Sequence, residues 1–438
     1  MYVTLISWAL LFILSIPHII ALRNTLMGLL TIIAVYRVIR SRRACNCISP
    51  MFGRSFFALS LFMGFSLMHS ILISHWPTWS LHEFSGQYLT AWILFFVAYQ
   101  VFMTNDTRKP RLMVLLFSAG VLLALIEFFH QAFVFAQSGH WPINTTFVTL
   151  SHLEYSYIMN ICLASAVVIM VQLANTHRVQ SWAGVATMVG IGVIIITNFL
   201  CSARNGILGM IFLSLAGIFM LSRARVHQKF SMKTLFVVSL AAGILIAISV
   251  VALKHDNRDQ YLLESVRQGW NYNNNTSDAW LGCMDNLPTT KNGQLLDISA
   301  YLRTAWIHVG INLIAGNPYG YGFARNAFGK AAMEEGDHPC QGLAHAHSGF
   351  IDLGVGLGLI GIFLWLYFCA TTIYVVSPML FDPRRQQSLL VVFLVTGFLG
   401  RMLTESIMRD HELLILMFML GGLLGELSSR VQSTSKTA

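Results

Sequence analysis

The sequence predicts an all-α polytopic membrane protein with about 12 transmembrane helices and one large loop late in the chain. Two observations carry this. Of the 438 residues, 55% are hydrophobic and only 11% are charged, against roughly a quarter charged in an ordinary soluble protein. The apolar residues also fall in runs of about 17 to 25, the length that crosses a bilayer as helix. A soluble globular enzyme is thereby excluded. The formal charge of +9 would suit a nucleic-acid binder if it were gathered on one segment. It is instead scattered through short loops between apolar runs, the pattern of topology signals, and no nucleic-acid partner is expected.

In chain order the expected spans are 2–22, 24–39, 55–74, 86–104, 112–136, 155–174, 183–200, 205–221, 234–253, 349–377, 389–405 and 412–428, each an apolar run between polar joints. The first has no basic n-region and no small-residue cleavage site, so it reads as a retained helix rather than a removed signal peptide. An even number of spans puts both termini on one side. Basic residues near 37–43, 108–111, 223–233 and 384–385 mark that side as cytoplasmic, because short cytoplasmic loops keep Lys and Arg during insertion. The short outer loops hold only Arg23, Arg204 and Arg409, with Arg401 near a membrane end. The chain divides into helices at 1–253, an outer periplasmic loop at 254–348, and helices with a short cytoplasmic tail at 349–438, all one membrane domain.

At roughly 90 residues the outer loop is far longer than a connection needs to be. Within it, Ser299 to Ala315 spaces Tyr301, Leu302, Ala305, Trp306, Val309 and Leu313 as an amphipathic helix, and Gly316-Asn-Pro-Tyr-Gly-Tyr-Gly322 ends that helix with turn residues. Cys283 and Cys340 both fall in the loop, in what would be an oxidising compartment. A disulfide between them and two free thiols both stay open, since sequence does not fix the separation of their Cα atoms.

Ionisable groups at or inside the outer membrane face are costly to keep there, which makes them the informative residues. Arg204, in Ser202-Ala-Arg-Asn-Gly206, is either a snorkelling side chain or an anion clamp, because a guanidinium fork matches phosphate oxygens. Arg303, on the amphipathic helix with Trp306 on the same face, is either solvated or held at phosphate depth. Arg325 is a weaker candidate of the same type. In His345-Ala-His347-Ser348-Gly349, where the loop re-enters the membrane, a histidine either caps the next helix or serves as a general base. Asp352 lies too far round the helix to be an assured partner. No metal is expected, because nearby acids complete no ligand set and no His-Glu-x-x-His pattern occurs. Arg401 and Glu405, spaced i, i+4, either neutralise each other or face the site, and Asp410 is placed to orient a histidine or arginine across the bundle. Glu127 and His130, three apart, are either a proton relay or a polar cavity wall.

Arg204 after Ser202, then Arg303-x-x-Trp306, then Asn317-Pro-Tyr-Gly-Tyr-Gly322, then His347-Ser348 with Gly354-x-Gly-x-Gly358-x-x-Gly361 follow one another in a telling order. The set resembles the O-antigen ligase and polymerase superfamily, bacterial inner-membrane glycosyltransferases that use undecaprenyl-diphosphate-linked sugars. The resemblance is clearest from about Thr197 to Gly361. This chain carries Ser348 where the family often has Asn. The resemblance implies a GT-C-like helical fold with its active site facing the periplasm. It also implies an undecaprenyl-diphosphate-linked glycan as donor and no cofactor. Arg204 and Arg303 match the arginines that would hold the diphosphate, and His347 matches the histidine that would take a proton from the acceptor hydroxyl. Direct attack would invert the anomeric carbon, and arginines in place of a metal imply metal-independent transfer.

Within that superfamily the expectation is an O-antigen ligase, with the lipid A-core oligosaccharide as acceptor in lipopolysaccharide assembly. O-antigen polymerase and protein O-oligosaccharyltransferase share the chemistry. The latter tend to carry a sizeable soluble C-terminal part, which the short polar end here does not resemble. A lipid-linked glycan transporter using Glu127, His130, Arg401 and Glu405 is the more distant alternative. It is disfavoured by the concentration of charged candidates at one face and the lack of matching interrupted helices.

Overall fold

The structure is a computed structural model. It describes residues 2–435 except 17, 41–48, 50–51, 104–110, 143–144, 150, 177, 202–205, 207–208, 214, 217–260, 273–277, 282–287, 291–292, 324, 335–342, 381 and 383–384. Arg204, Cys283, Cys340, the expected span 234–253 and part of 205–221 lie outside the described residues.

The described chain is built from helices, with a single isolated β-bridge between Thr289 and Leu295. Helix α1 (Tyr2–Leu14) is followed by α2 (Ile20–Arg40). The joint therefore lies before the expected 22–24, where the sequence carries Pro17, a residue that cannot continue a helix. Next come α3 (Gly53–Leu72) and α4 (Pro77–Glu83), which opens on proline in the first turn, a position where the missing N–H costs nothing. α4 runs through a π-helical turn (Phe84–Leu89) into α5 (Thr90–Phe102), so the helix expected at 86–104 begins well before its apolar run. α6 (Leu112–Ser138) ends at Gly139, whose φ of 73° is the left-handed cap. α7 (His152–Asn175) starts at Ser151, whose side chain accepts from Glu154 N, and α8 (Trp182–Leu200) follows.

Beyond the undescribed segment, α9 (Leu262–Trp270) and α10 (Ile298–Gly316) pack together, α10 capped by Asp297 accepting from Ala300 N. The expected amphipathic helix at 299–315 is thus α10. α11 (Ala327–Glu334), α12 (Gly349–Val376), α13 (Gln387–Met402) and α14 (Asp410–Ser435) complete the chain. Among the described residues seven helices are long and apolar enough to cross a membrane, while Tyr2–Leu14 and Gln387–Met402 are apolar but shorter. The protein is accordingly a multi-pass, helical membrane protein. Isoleucine, phenylalanine and valine side chains such as Ile32, Phe57, Phe129, Val189 and Phe363 stay exposed on the outside of the bundle, as lipid-facing positions do.

Two close approaches set the packing. α14 is enclosed over most of the stretch from Asp410 to Ser429, and it lies against α5 at Gly421 and Gly425. A Cβ at those positions would fall 2.0 Å from Phe95 O and 2.4 Å from Tyr99 O, the small-residue spacing that lets helix backbones touch in a membrane. The second approach joins the segment after α10 to α12. Tyr321 N donates to Val355 O at 2.8 Å, Gly322 N to Gly356 O at 3.1 Å, and Leu359 N to Pro318 O at 2.9 Å. α12 is broken at Gly358, whose φ of 69° and ψ of −171° leave the helical region. A Cβ at Gly358 would meet Pro318 O at 2.3 Å. The same loop is held on its far side by the end of α3, with His69 Nε2 2.8 Å from Tyr319 O and His75 N donating to Tyr321 O at 2.7 Å.

Replacing Gly425 by leucine forces α14 away from α5. Overpacking of this kind costs about 1–3 kcal/mol, so a lower thermal unfolding midpoint of the purified protein is expected, with alanine at the same position less harmful than leucine.

Candidate active site

The site forms where the chain returns from α11 to the start of α12. Leu343 and Ala346 are buried in this stretch, and Gly329 N donates to Ala344 O at 3.3 Å. The next residues are tied to the turn between α13 and α14. Ser348 Oγ donates to Met402 O at 3.1 Å and Gly349 N to Glu405 O at 2.9 Å. Asp352, in the first turn of α12, accepts from Ala346 N at 2.9 Å through one carboxylate oxygen and from Ser406 Oγ through the other. His347 sits between these anchors with φ of 51°, the left-handed region that costs a non-glycine residue of order 1–3 kcal/mol unless its surroundings hold it there.

The His347 ring stacks on Trp306 of α10, centroids 5.3 Å apart and 14° from parallel, and meets the His345 ring at 4.3 Å. Trp306 is itself fixed by donating from Nε1 to Trp280 O at 2.6 Å. The His347 pKa is lowered to about 4, by burial first and then by the positive charges of Arg303 and Arg409. His345 is lowered to about 3, again by burial first and then by Arg409, His347 and Arg325. Both imidazoles are therefore neutral near pH 7, and a neutral imidazole flanked by guanidiniums is a proton acceptor beside an anion site.

A polar crevice of about 50 Å³ opens next to this loop, lined by Asp352, Ser406, Arg409 and Arg325 on one side and by Glu83, Gln87 and Tyr88 on the other. Tyr88 donates to Met408 O at 2.7 Å and packs edge-on against Phe323. An apolar cleft of about 340 Å³ lies between α7, residues 209–213 and α13, with Arg401 and Thr404 near its polar end.

The remaining sequence candidates are placed as follows. Arg325 and Asp410 form an ion pair with each other, and Asp410 N donates to Gln87 Oε1 at 3.4 Å. Arg401 is buried, paired with Glu405, and also donates to Ser156 Oγ and Leu153 O. Glu127 is buried and accepts from Gln131 Nε2 at 2.9 Å and from the backbone N–H groups of Phe147 and Val148. It anchors the chain between α6 and α7, while His130 stacks on Phe147. His345, His347, Arg303 and Arg409 are brought together; Glu127 and Arg401 are each occupied by partners of their own.

Ser406 was not singled out in the sequence, and Asp352, set aside there as a partner of the histidine ring, reaches the backbone before His347 rather than the ring. An acid in the first turn of a helix that follows a His-Ser-Gly return is the signal that points to it. The sequence also held no metal pattern, yet Glu154, His411 and Glu412 each bring one ligand atom within 4.8 Å of the others. Distant and adjacent residues make no spacing signature. Glu154 engages further partners as well.

Fold and site together define a helical membrane protein with a histidine and arginines gathered beside apolar clefts. Residues 189–366 match the family model described as O-antigen ligase, and this supports membership of the chain in the O-antigen ligase and polymerase superfamily. The match supports a function of ligase or polymerase type, a glycosyltransferase-like transfer with lipid-linked glycans as substrates. It spans α10, His347 and Asp352 and ends before the 403–409 turn that braces them. No curated protein matches the chain.

Two measurements test this geometry. In an NMR titration of labelled histidine, the His347 ring is expected to protonate near pH 4 rather than near its ordinary 6.5. Asp352→Ala, which frees Ala346 N and Ser406 Oγ, is expected to lower glycan transfer on the order of 10²-fold, the effect of misplacing a reacting group by an ångström. Asp352→Asn, which can still accept from Ala346 N, should retain more.

Proposed function

We propose that this protein is an O-antigen ligase. It moves assembled polysaccharide from undecaprenyl diphosphate onto the lipid A-core oligosaccharide in lipopolysaccharide assembly. The observation that carries the reading is the neutral, half-buried His347 ring, stacked on Trp306 and lying within the field of Arg303 and Arg409. In this reading the protein lies in the bacterial inner membrane with both termini cytoplasmic, and residues 254–348 form the periplasmic loop that carries the site.

The transfer needs three things from the chain. Arg303, with Arg204 by the family pattern, binds the donor diphosphate and offsets the negative charge that grows on it as the sugar–phosphate bond breaks. Preorganised donors in a dry site supply several kcal/mol in this way. His347 accepts the proton of the acceptor hydroxyl while that oxygen attacks the anomeric carbon. The bonding pair of the broken bond leaves with the diphosphate, no enzyme-linked intermediate forms, and the configuration inverts. Burial, and after it the two arginines, keep the histidine neutral. An arriving diphosphate cancels part of their charge and makes the imidazole more basic when a base is needed.

Guanidiniums take the part a metal plays elsewhere, so transfer is metal-independent. The test is reconstitution of the purified protein with lipid-linked glycan and lipid A-core. Transfer that persists in EDTA, is abolished in His347→Ala, and falls strongly in Arg303→Ala is expected. Arg303→Lys should also be impaired, because it keeps charge and loses the fork. A ladder of longer carrier-linked glycans with none on the core would replace ligase by polymerase. Lipid movement with no covalent product would replace enzyme by transporter.

A further inference from the structure

The starts of α7 and α14 meet beside the 403–409 turn, and three side chains that the transfer does not use face one another there. Glu154 comes from the first turn of α7, and His411 and Glu412 from the first turn of α14. Each offers one ligand atom, and the three atoms lie within 4.8 Å of one another. His411 is only 3% exposed and Glu412 8%. The Glu154 side chain is 19% exposed, which leaves an ion a way in.

Two carboxylates alone would not make a site. The informative atom is His411 Nε2, which is enclosed and has no hydrogen-bond partner. It faces Glu154 Oε2 from 3.8 Å, beyond hydrogen-bonding reach. A buried polar atom without a partner calls for an explanation, and an ion is one. Carboxylates brought together away from water also repel unless a cation or a proton lies between them. One divalent cation answers both needs, taking the imidazole lone pair and offsetting two negative charges. Nitrogen and oxygen ligands about 2.0–2.2 Å from Zn²⁺ stand about 3.4 Å apart in a tetrahedron, so a small side-chain adjustment closes the set.

We propose that Glu154, His411 and Glu412 form a binding site for one divalent transition-metal ion of the Zn²⁺ type. The imidazole favours such an ion over Mg²⁺ and Ca²⁺, which prefer oxygen ligands throughout. Its place in the fold gives it a role. Arg401 ties the entry of the 403–409 turn to α7 through Leu153 O and Ser156 Oγ, and the ion ties the exit to the same end of α7 through Glu154. The turn held in this way supplies Glu405 O to Gly349 N and Ser406 Oγ to Asp352. The ion thus stiffens the frame of the His347 loop and takes no part in bond making. Stripping it loosens that frame without removing a reacting group, and its binding is independent of the transferase reading.

The test uses the purified full-length chain, carrying no polyhistidine tag and first stripped with chelator. Zn²⁺ alone is titrated, with bound metal counted by elemental analysis and the heat of binding followed. One equivalent is expected to bind and to raise the thermal unfolding midpoint. Binding should weaken at least tenfold in Glu154→Gln, His411→Ala and Glu412→Gln, and stay as in the wild type in His140→Ala, which alters an exposed histidine. Co²⁺ in place of Zn²⁺ should give the visible absorption of a four-coordinate site, absent in His411→Ala. Unchanged unfolding of the metal-free variants verifies folding. Glu154→Gln keeps the size of the most exposed ligand, so it reports even if the α14 variants fail to fold. No binding at micromolar Zn²⁺, or binding that survives Glu154→Gln, would overturn the proposal, and a proton shared between the carboxylates would then hold the cluster together. Binding lost in His345→Ala and kept in His411→Ala would overturn it as well, because the ion would then sit on the neighbouring His345 and His347 rings. Displacement of Zn²⁺ by equimolar Mg²⁺ would overturn the choice of ion.

Discussion

The arrangement depends on one contact, the backbone pairing of residues 318–322 with the glycine-lined first part of α12. Only residues without a Cβ allow Pro318 O and the Gly358 backbone to approach as they do. The pairing draws the end of α10 against α12, where Gly310 faces Ile351 and Ile314 faces Gly354. That places Trp306, two turns earlier on α10, over the His347 ring. α12 gives up helical geometry at Gly358 to make the contact, and the carbonyls of Val355 and Gly356 are satisfied by the inserted loop. The cost of interrupting a long apolar helix is thus offset by hydrogen bonds that seat the proposed base.

Charge is sorted around this frame. Arg401 is neutralised by Glu405 inside the bundle, and Arg325 is matched by Asp410 at its edge. Arg303 and Arg409 are the cations that depress His347. A buried ion pair contributes little net stability once desolvation is counted. Arg401 is therefore better understood as holding α7 to the 403–409 turn through Ser156 and Leu153. That turn is also the brace behind Ser348, Gly349 and Asp352.

Much of this was legible in the sequence, for a physical reason. Long apolar runs are dictated by the bilayer, so α6, α7, α8, α12 and α13 begin and end within a few residues of the expected spans. α10 was marked by its amphipathic spacing, whereas the glycine pattern at 354–361 was legible only as part of the family resemblance and not as the place where residues 318–322 meet α12. The α4–π–α5 helix was only half visible, because its first turns carry Ser80, His82 and Glu83 and lack an apolar run. Contacts between distant segments were barely legible: Asp410 was read as reaching a histidine or arginine across the bundle, but not which one. Ser406 meets Asp352 across 54 residues and Arg325 meets Asp410 across 85, and no local periodicity encodes such partners. The spacing of Arg401 and Glu405 was visible, but it did not tell whether the pair faced the site or each other.

The π turn at Phe84–Leu89 has a bearing on how such a chain arises and changes. A π turn is an α-helix carrying one inserted residue, and π turns gather at functional sites. Each residue advances a helix by about 100°. Removing one residue from 84–89 would restore regular helix and swing Glu83 round the axis, away from the crevice, without touching the apolar content of the span. Hydropathy would register no difference. The membrane constrains how long and how oily this helix must be and is indifferent to its rotation, so the phase of the helix is kept only by what its polar side has to meet.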